Sequence, residues 1–315
     1  MNQHPVLKSL DISLIDFDDF SYAVSPAREI NPERSLTESI AGHGIINPPA
    51  VKDTGSGTYV IVSGRKRLHA FHSLFPEKRF CDCLVFSESV PEFDLFLFLL
   101  EEIIIRRQLT PIERAIFLQK ISSFMDEKQI TEIFLPRMGL PRDPAQIRKN
   151  QKLLDLDDPL ILALHRGSLH EAAVQDLLSL SSSDRLAVYD VISTLQLGVN
   201  YQKKLITIVR ELAVREKKSI RSLLGGHDIL EILNHRDANP PQKTKNLMNL
   251  LMRKYKPRSS EAEAEFSRLV ASLQLPPNMS LTHTPSFEDD SLTLAITFSD
   301  KKFLLDILNK IKNAN

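Results

Sequence analysis

The stretch Tyr59-Val60-Ile61-Val62-Ser63-Gly64-Arg65-Lys66-Arg67-Leu68-His69-Ala70 changes its apolar pattern at a single glycine. Its first four residues are β-branched or aromatic, which is typical of a buried strand. After Gly64 the residues Leu68, Phe71 and Phe75 recur at helical spacing, which indicates a helix. The stretch therefore predicts a strand, a glycine turn and a helix in immediate succession.

Three cations, Arg65, Lys66 and Arg67, follow Gly64 at the start of this helix. The free N–H groups at a helix N-terminus bind anions, and a glycine lets the backbone approach a ligand closely. Cations at that end oppose the helix dipole, so an anionic ligand would relieve their repulsion. The stretch thus indicates an anion site, with a solvated turn as the alternative that these residues alone leave open.

The composition is that of an ordinary globular chain without bulk charge. Its 315 residues suit two or three domains, and 40 basic residues balance 40 acidic ones. Any nucleic-acid surface must therefore be a local basic patch. The start, Met-Asn-Gln-His-Pro, does not resemble a signal peptide, and the apolar stretch 93–105 is too short to span a bilayer. We expect a cytoplasmic protein without a membrane segment.

Secondary-structure signals indicate an α+β protein in four parts. Strand and helix signals alternate over the first ninety residues, and helical signals then continue to about residue 273. Two strand signals, at 279–284 and 291–298, precede a last helix. We predict a small α+β domain at 1–90, a helical domain at 91–238, a helical linker region at 239–278 and a small β-β-α domain at 279–315.

Local signals predict where the elements begin and end. Asn31 and Pro32 are typical of a helix start. Residues 110–113 and 168–171 are typical of capping boxes, which also start helices. The prolines within 239–241 and 256–260 indicate linkers. The strands of the first domain are expected at 7–15, 50–52, 58–63 and 79–86.

A helix, a tight turn and a second helix are predicted between residues 129 and 154. Residues 137–152 hold five cations and one acid, Asp143, which gives a local charge of +4. In a helix-turn-helix the second helix enters the major groove, where Arg and Gln reach base edges and Lys contacts phosphates. A solvated basic hairpin is the alternative. We expect double-stranded DNA to contact Arg142, Gln146, Arg148, Lys149 and Lys152, with Ile147, Gln151 and Leu154 facing the core.

The stretch Glu101-Glu102-Ile103-Ile104-Ile105-Arg106-Arg107 ends an apolar helix with acids and then bases. Bases at a helix C-terminus suit the dipole without any ligand. Alternatively, Glu102 and Arg106, one turn apart, face a phosphate and its metal ion. Cys81 and Cys83 supply two soft ligands where a zinc site needs four, so we expect no zinc site there.

The last helix signal carries a broad apolar stripe. Two strands and one helix are too small to bury such a stripe. A symmetric partner would cover it, so we expect a homodimer through residues 279–315. The stripe consists of Phe303, Leu304, Ile307, Leu308 and Ile311.

Taken in order, these segments resemble the ParB family of chromosome and plasmid partition proteins. Gly64-Arg65-Lys66-Arg67-Leu68-His69-Ala70 is similar to the family's Gly-Glu-Arg-Arg-x-Arg-Ala box. Gly44-Ile45-Ile46-Asn47-Pro48 is similar to its Gly-hydrophobic-hydrophobic-Gln-Pro turn, and 102–113 to its Glu-Asn-x-Gln-Arg-x-x-Leu-Ser/Thr-Pro-x-Glu box. The order and spacing of these boxes, over nearly the whole chain, carry the resemblance.

The resemblance implies a ParB/sulfiredoxin-like N-terminal fold, a helix-turn-helix for a centromere-like DNA site, and a C-terminal dimerisation domain. It also implies binding of CTP and Mg²⁺, closure of a clamp on DNA, a ParA-type partner ATPase and association with the nucleoid. On this resemblance Gly64, Arg65, Lys66 and Arg67 would cradle the triphosphate. Glu102 would approach the metal ion, and Arg106 a phosphate.

Departures from the family's boxes at three positions bear on nucleotide hydrolysis. Arg65 stands where the family has glutamate, and Ile103 and Ile105 stand where it has asparagine and glutamine. Because isoleucine offers no hydrogen bond to a nucleotide or to metal-bound water, we expect CTP binding with weak or absent hydrolysis.

Two other functions remain open for a chain of this kind. One is a transcriptional or nucleoid regulator of the same fold without a role in segregation. The other is a small-molecule kinase with a related N-terminal domain, although such a kinase would not need the basic helix-turn-helix. Sulfiredoxin activity is disfavoured, since that protein carries a cysteine in the box at the position of Arg65.

Overall fold

A computed structural model describes the chain at residues 4–26, 31–284, 291–298 and 304–305. The chain forms two compact units, Met1–Lys203 and Lys204–Asn315. The first holds a five-stranded sheet and several helices, and the second holds helices and a two-stranded sheet. The predicted α+β class is confirmed. The finer boundaries at residues 90, 238 and 278 remain predictions.

The sheet of the first unit is mixed and has five strands: β1 (Val6–Asp11), β2 (Ile15–Asp16), β3 (Ala50–Asp53), β4 (Tyr59–Ser63) and β5 (Phe80–Phe86). Their order in the sheet is β1-β5-β3-β4-β2. Pairing is antiparallel between β1 and β5 and between β3 and β4, and parallel between β5 and β3 and between β4 and β2.

Both faces of this sheet are covered, which explains why β4 is apolar along its length. Successive side chains of a strand point to opposite faces. Ile61 packs with Leu68 in a core beside helices α1 (Arg34–His43) and α2 (Arg65–Leu74). Val62 belongs to the second core, which contains residues of helices α3 (Glu92–Ile104) and α4 (Pro111–Ile121). A strand buried on both faces reads as a continuous apolar run rather than an alternating one.

The second core is largely helical. Phe96, Phe117 and Phe134 are fully buried in it and stack edge-on or tilted at centroid distances of 5.6–6.0 Å. These rings come from α3 (Glu92–Ile104), α4 (Pro111–Ile121) and a π-helical turn at Ile130–Phe134. The remaining α-helices that begin in the first unit are α5 (Glu127–Gln129), α6 (Leu135–Arg137), α7 (Ala145–Gln151), α8 (Asp158–His165), α9 (Glu171–Leu178), α10 (Ser182–Leu195) and α11 (Val199–Glu216).

Several predicted boundaries in the first unit are wrong at the residue level. The strand expected at 7–15 is broken after Asp11, whose side chain accepts a hydrogen bond from the Ser13 amide and starts a 3₁₀ turn. Such local bonding by Asp competes with the strand ladder. The helix expected from Asn31 and Pro32 begins at Arg34, after an extended Glu33 that pairs with Lys66 at 3.6 Å.

The capping boxes expected at 110–113 and 168–171 have different outcomes. Thr110 and Glu113 form both reciprocal bonds of a capping box, as predicted. The second box is wrong, because His170 caps α9 by accepting from the Ala172 amide. Ser168 instead donates to the carbonyl of Ala163, at the end of the preceding helix.

The second unit consists of helices and a hairpin. The segments expected as linkers are helix starts, since Asn239 caps α14 with a capping box to Gln242, and Pro257 is the first residue of α15. Proline at the first helical position needs no N–H partner, so these prolines start helices. The unit contains α12 (Ile220–Leu224), α13 (His227–Asn234), α14 (Pro240–Tyr255), α15 (Pro257–Leu273), β6 (Met279–His283) and β7 (Leu292–Ile296).

The hairpin of β6 and β7 confirms the two predicted strands. The predicted last helix, with its cap at Ser299 and most of its apolar stripe, lies outside the described residues. Among the described helices, none is both long and apolar enough to cross a bilayer.

Candidate functional site

Gly64 joins β4 to α2 in a left-handed conformation, with φ +86°. A Cβ added there would lie 2.8 Å from Cβ and 2.9 Å from Cα of Pro49. Only glycine fits both this dihedral and this close approach. The strand, glycine turn and helix predicted by the sequence are therefore present, and α2 begins at Arg65 beside the turn that contains Pro49.

Arg67 and Glu102 form an ion pair across 35 residues of sequence, with 2.8 Å between guanidinium and carboxylate. Their side chains are only 13% and 19% exposed, so the pair lies in a largely desolvated setting. Arg67 also donates to the carbonyl of Asn47 at 2.6 Å. The Ser63 hydroxyl donates to the other carboxylate oxygen of Glu102, and Arg106 lies 3.2 Å from the first. We call Ser63, Arg67, Glu102 and Arg106 the Glu102 cluster.

The side chains of Arg65 and Lys66 contact residues outside the Glu102 cluster. The Arg65 guanidinium donates to the carbonyls of Phe17, at 2.6 Å, and Asp19, and lies 4.5 Å from the centre of the Phe20 ring. Burial lowers the pKa of Arg65 from its ordinary value. Lys66 pairs with Glu33 instead. Of the three predicted cations, the structure brings only Arg67 together with Glu102 and Arg106, and all six nucleotide contacts remain predictions.

The residues at Glu102 do not fit a Mg²⁺ site. Mg²⁺ takes six oxygen ligands in near-ideal octahedral geometry and is usually held by one or two carboxylates plus phosphates. Here one oxygen of the single carboxylate faces two guanidinium groups and the other accepts from Ser63. The neighbouring carboxylate, Glu101, pairs with Arg137 at 3.0 Å. Over the described part of the chain, no three His, Cys, Asp or Glu residues gather as a metal cluster.

The helix, turn and helix predicted at 129–154 are also present. The first helical segment starts earlier than predicted, at an Asp126 cap, and contains the π-turn before Pro136. Because Pro136 has no N–H, the regular bonding pattern is interrupted there. Gly139, with φ +72°, turns the chain toward α7.

The side chains of Arg142, Arg148, Lys149 and Lys152 are exposed, as the DNA prediction requires. Arg148, Lys149 and Lys152 line a cleft of about 390 Å³. The two arginines form only long, exposed ion pairs: Arg142 lies 3.7 Å from Glu132, and Arg148 lies 3.8 Å from Glu127. Exposed ion pairs of this kind hold a side chain weakly, so these cations are available to a ligand. Gln146 is half-buried.

The inward face of α7 differs from the prediction. Ile147 is buried as expected, but Asn150 and Leu153 are buried in place of Gln151 and Leu154. The chain tightens into a 3₁₀ turn at Lys152–Asp155, which shifts the spacing from four residues to three. The Asn150 amide is satisfied on one side by donation to the carbonyl of Gln146.

Sequence reasoning missed Gln175, an exposed residue of α9 that lines the same cleft. Its amide can donate to and accept from a base edge or donate to a phosphate. Gln175 lies 26 residues beyond Lys149, so no local spacing joins the two. A polar residue on the outer face of a short helix carries no signal of its own.

These features define a class of protein: an α+β chain with an arginine–glutamate cluster at a glycine turn and an exposed basic helix. No family model matches the sequence. The chain is 26% identical over 151 residues, 48% of its length and 50% of the relative's, to a nucleoid occlusion protein of Listeria monocytogenes. It is 24% identical over 163 residues, 50% of its length and 52% of the relative's, to a probable chromosome-partitioning protein ParB of Pseudomonas putida.

The chain spans about half the length of these two curated relatives. It is also 27% identical over 185 residues, 58% of its length and 61% of the relative's, to a nucleoid occlusion protein of Bacillus thuringiensis. The chain is therefore similar, at weak identity, to a ParB chromosome-partitioning protein and to nucleoid occlusion proteins.

Two solved structures of C-terminally truncated ParB from Caulobacter crescentus are also similar. One is complexed with CTP-gamma-S, at 17% identity and a TM-score of 0.26, covering 59% of this chain and 98% of that one. The other is complexed to the centromeric parS site, at 16% identity and a TM-score of 0.35, covering 64% and 98%. Neither score establishes a common overall fold.

Proposed function

We propose that this chain binds double-stranded DNA through α7 as a ParB-like partition protein, at a centromere-like site. The observation that carries the proposal is the exposed basic face of Arg148, Lys149 and Lys152 on one cleft. The whole chain has no net charge, so this concentration of cations is a local property. Duplex phosphates attract such a patch, and an arginine in the major groove can hold guanine with two hydrogen bonds.

Residues on two helices support DNA contact beyond simple charge. Arg148 and Lys149 come from α7, and Gln175 comes from α9 on the same cleft. Arg142 lies in the turn before α7, where a phosphate contact would fix the register of the helix. Gln146 is half-buried, so its amide is less accessible to DNA than these exposed side chains. The cleft thus offers both cationic side chains that can contact DNA phosphates and side chains that can hydrogen-bond to base edges.

The proposal includes a nucleotide site at Gly64 and the Glu102 cluster, of the type that binds CTP. The left-handed glycine, the start of α2 and the cations Arg67 and Arg106 are the groups that support a polyphosphate ligand. Ile103 packs against the helical core and Ile105 is 80% exposed, so neither side chain supplies a polar contact for hydrolysis. We therefore propose nucleotide binding as a switch, with hydrolysis near background.

A homodimer, a ParA-type ATPase partner and a cytoplasmic, nucleoid-associated location complete the proposal. The hairpin strand β7 leaves Leu292 and Leu294 about half exposed, which supports a covering partner for this segment. A second candidate function is nucleoid regulation without segregation. It is favoured by the nucleoid occlusion proteins among the matched relatives.

Fluorescence anisotropy against a library of genomic DNA fragments tests the proposed function. We expect a small set of fragments to bind far more tightly than the rest, with a steep loss of affinity as salt rises. Mapping those fragments separates the two candidates, because a partition site clusters at one locus whereas a nucleoid regulator binds at many. Uniform, salt-insensitive binding would contradict DNA recognition altogether.

A further inference from the structure

Glu102 is the residue that the ParB-like box assigns to a metal ion, and in this chain two cations already neutralise it. Arg67 lies 2.8 Å and Arg106 lies 3.2 Å from the same carboxylate oxygen. A divalent ion at Glu102 would stand beside both guanidinium groups and be repelled by them. If the ion displaced Arg67 from Glu102, the largely buried guanidinium would be left without an anionic partner, because a cation cannot replace the carboxylate; this is strongly unfavourable.

The neighbouring carboxylates in the described part of the chain are paired with other cations. Within the described residues Glu101 pairs with Arg137, and Glu33 pairs with Lys66. Ile103, where the family has asparagine, packs against the helical core and carries no ligand atom. A hard cation that needs several oxygen ligands therefore finds one shared carboxylate here.

The same cluster suits an anion. Two guanidinium groups face one carboxylate, so the charges of Arg67, Arg106 and Glu102 sum to +1. Arg106 is about half exposed and is free to reorient toward a ligand. Arg67 approaches Gly64 so closely that one guanidinium nitrogen lies 2.9 Å from the position of an added Cβ. A phosphate bound at this turn would therefore contact Arg67 and Arg106, the two arginines that pair with Glu102.

We propose that this chain binds its nucleotide without a divalent cation. Arg67 and Arg106 take the charge-neutralising role that a metal ion would have, and phosphate oxygens compete with Glu102 for these two side chains. The inference rests on the proposed nucleotide site and concerns how that site holds its ligand. Guanidinium groups bind phosphate oxygens in paired hydrogen bonds, which makes them suited to this role.

Isothermal titration calorimetry of the full chain with CTP, in EDTA and in MgCl₂, tests the inference. We expect the two dissociation constants to agree within about threefold. Binding that strengthens more than about tenfold with Mg²⁺ would overturn metal-free binding while leaving the proposed nucleotide site intact. No binding in either buffer would overturn the proposed site itself, and the inference with it.

Two variants sharpen the experiment. Glu102→Gln keeps the shape of the side chain and removes its charge, so affinity in EDTA should rise by about threefold to tenfold as both arginines are released. If Glu102 were a metal ligand, the variant would instead lose affinity in MgCl₂ and stay unchanged in EDTA. Glu101→Gln, the preceding residue on α3, is the matched control and should alter neither affinity.

Arg106→Gln covers the case in which Glu102→Gln does not fold, which circular dichroism would reveal. Its side chain is about half exposed, so the fold should tolerate the change. Affinity should fall by about tenfold in both buffers, since one phosphate-binding cation is lost. An Arg106→Gln variant that binds CTP as tightly as the natural protein in EDTA would contradict the inference.

Discussion

The guanidinium of Arg107 donates to both carboxylate oxygens of Glu113, at 2.6 and 2.7 Å. Glu113 is entirely buried and also accepts from the Thr110 amide at 2.9 Å. These bonds join the segment that follows α3 to the start of α4. The basic helix α7 packs on α4, where the side-chain amide of Gln151 donates to the carbonyl of Leu118. Burial by itself raises the pKa of Glu113, but the bonds from Arg107 and Thr110 outweigh burial and hold that pKa below its ordinary value.

Replacing Glu113 with Gln should lower the free energy of unfolding by about 2–3 kcal/mol at neutral pH. Because the folded-state pKa is depressed, the carboxylate stabilises the fold above the unfolded-state pKa and loses this effect as pH falls. Urea unfolding of both proteins along an acidic pH series measures the difference, which should shrink below about pH 4.5. As a control, Glu38→Gln, in an exposed pair with Arg34, should lower the free energy of unfolding by less than about 0.5 kcal/mol.

Gly64→Ala and Gly57→Ala, at two positions with the same φ of +86°, separate the cost of a left-handed backbone from the cost of a steric collision. An added Cβ at Gly57 meets nothing within 4 Å, so only the left-handed conformation is penalised, by about 1 kcal/mol. At Gly64 the Cβ also collides with Pro49, which should bring the cost to about 2–4 kcal/mol. Chemical denaturation compares them, and equal losses would show that the turn at Pro49 relaxes easily.

Arg148→Ala should weaken binding to the preferred DNA fragment by about 1–3 kcal/mol if the arginine reads a base. Lys149→Ala should weaken all fragments about equally and lower the salt dependence if the lysine contacts a phosphate. Anisotropy titrations at several salt concentrations measure both effects. Arg34→Ala, an exposed cation on α1, is the control and should bind like the unmodified protein. Unchanged binding by both α7 variants would contradict the assignment.

Deleting residues 279–315 should yield a monomer that binds a palindromic site much more weakly than the full chain. Two half-sites held by one dimer gain effective concentration, and a monomer loses this gain. Analytical ultracentrifugation gives the oligomeric state, and gel shifts on one and two half-sites give the affinity. Sedimentation of the full chain as a monomer at micromolar concentration would exclude the dimer.

The local signals of the sequence predicted most elements of the fold. The apolar run of β4 and the glycine after it follow from residue types and spacing alone, because strand and helix periods are properties of neighbouring residues. The box at Thr110 was found for the same reason, since both of its bonds join residues three apart. The linkers predicted from Pro240 and Pro257 are wrong because proline both starts helices and interrupts them, and the residue type alone does not distinguish the two cases.

The sequence by itself determined the glycine turn, the cations after it and the basic α7, because each depends on residues within a few positions of one another. Only the tertiary structure decided that Arg67 meets Glu102 while Arg65 holds the carbonyls of Phe17 and Asp19. Adjacent helical positions point in directions about 100° apart, so one basic run serves separate partners. Which partner each side chain meets depends on strand order and on packing between segments that are distant in sequence. No local pattern of residues encodes that packing.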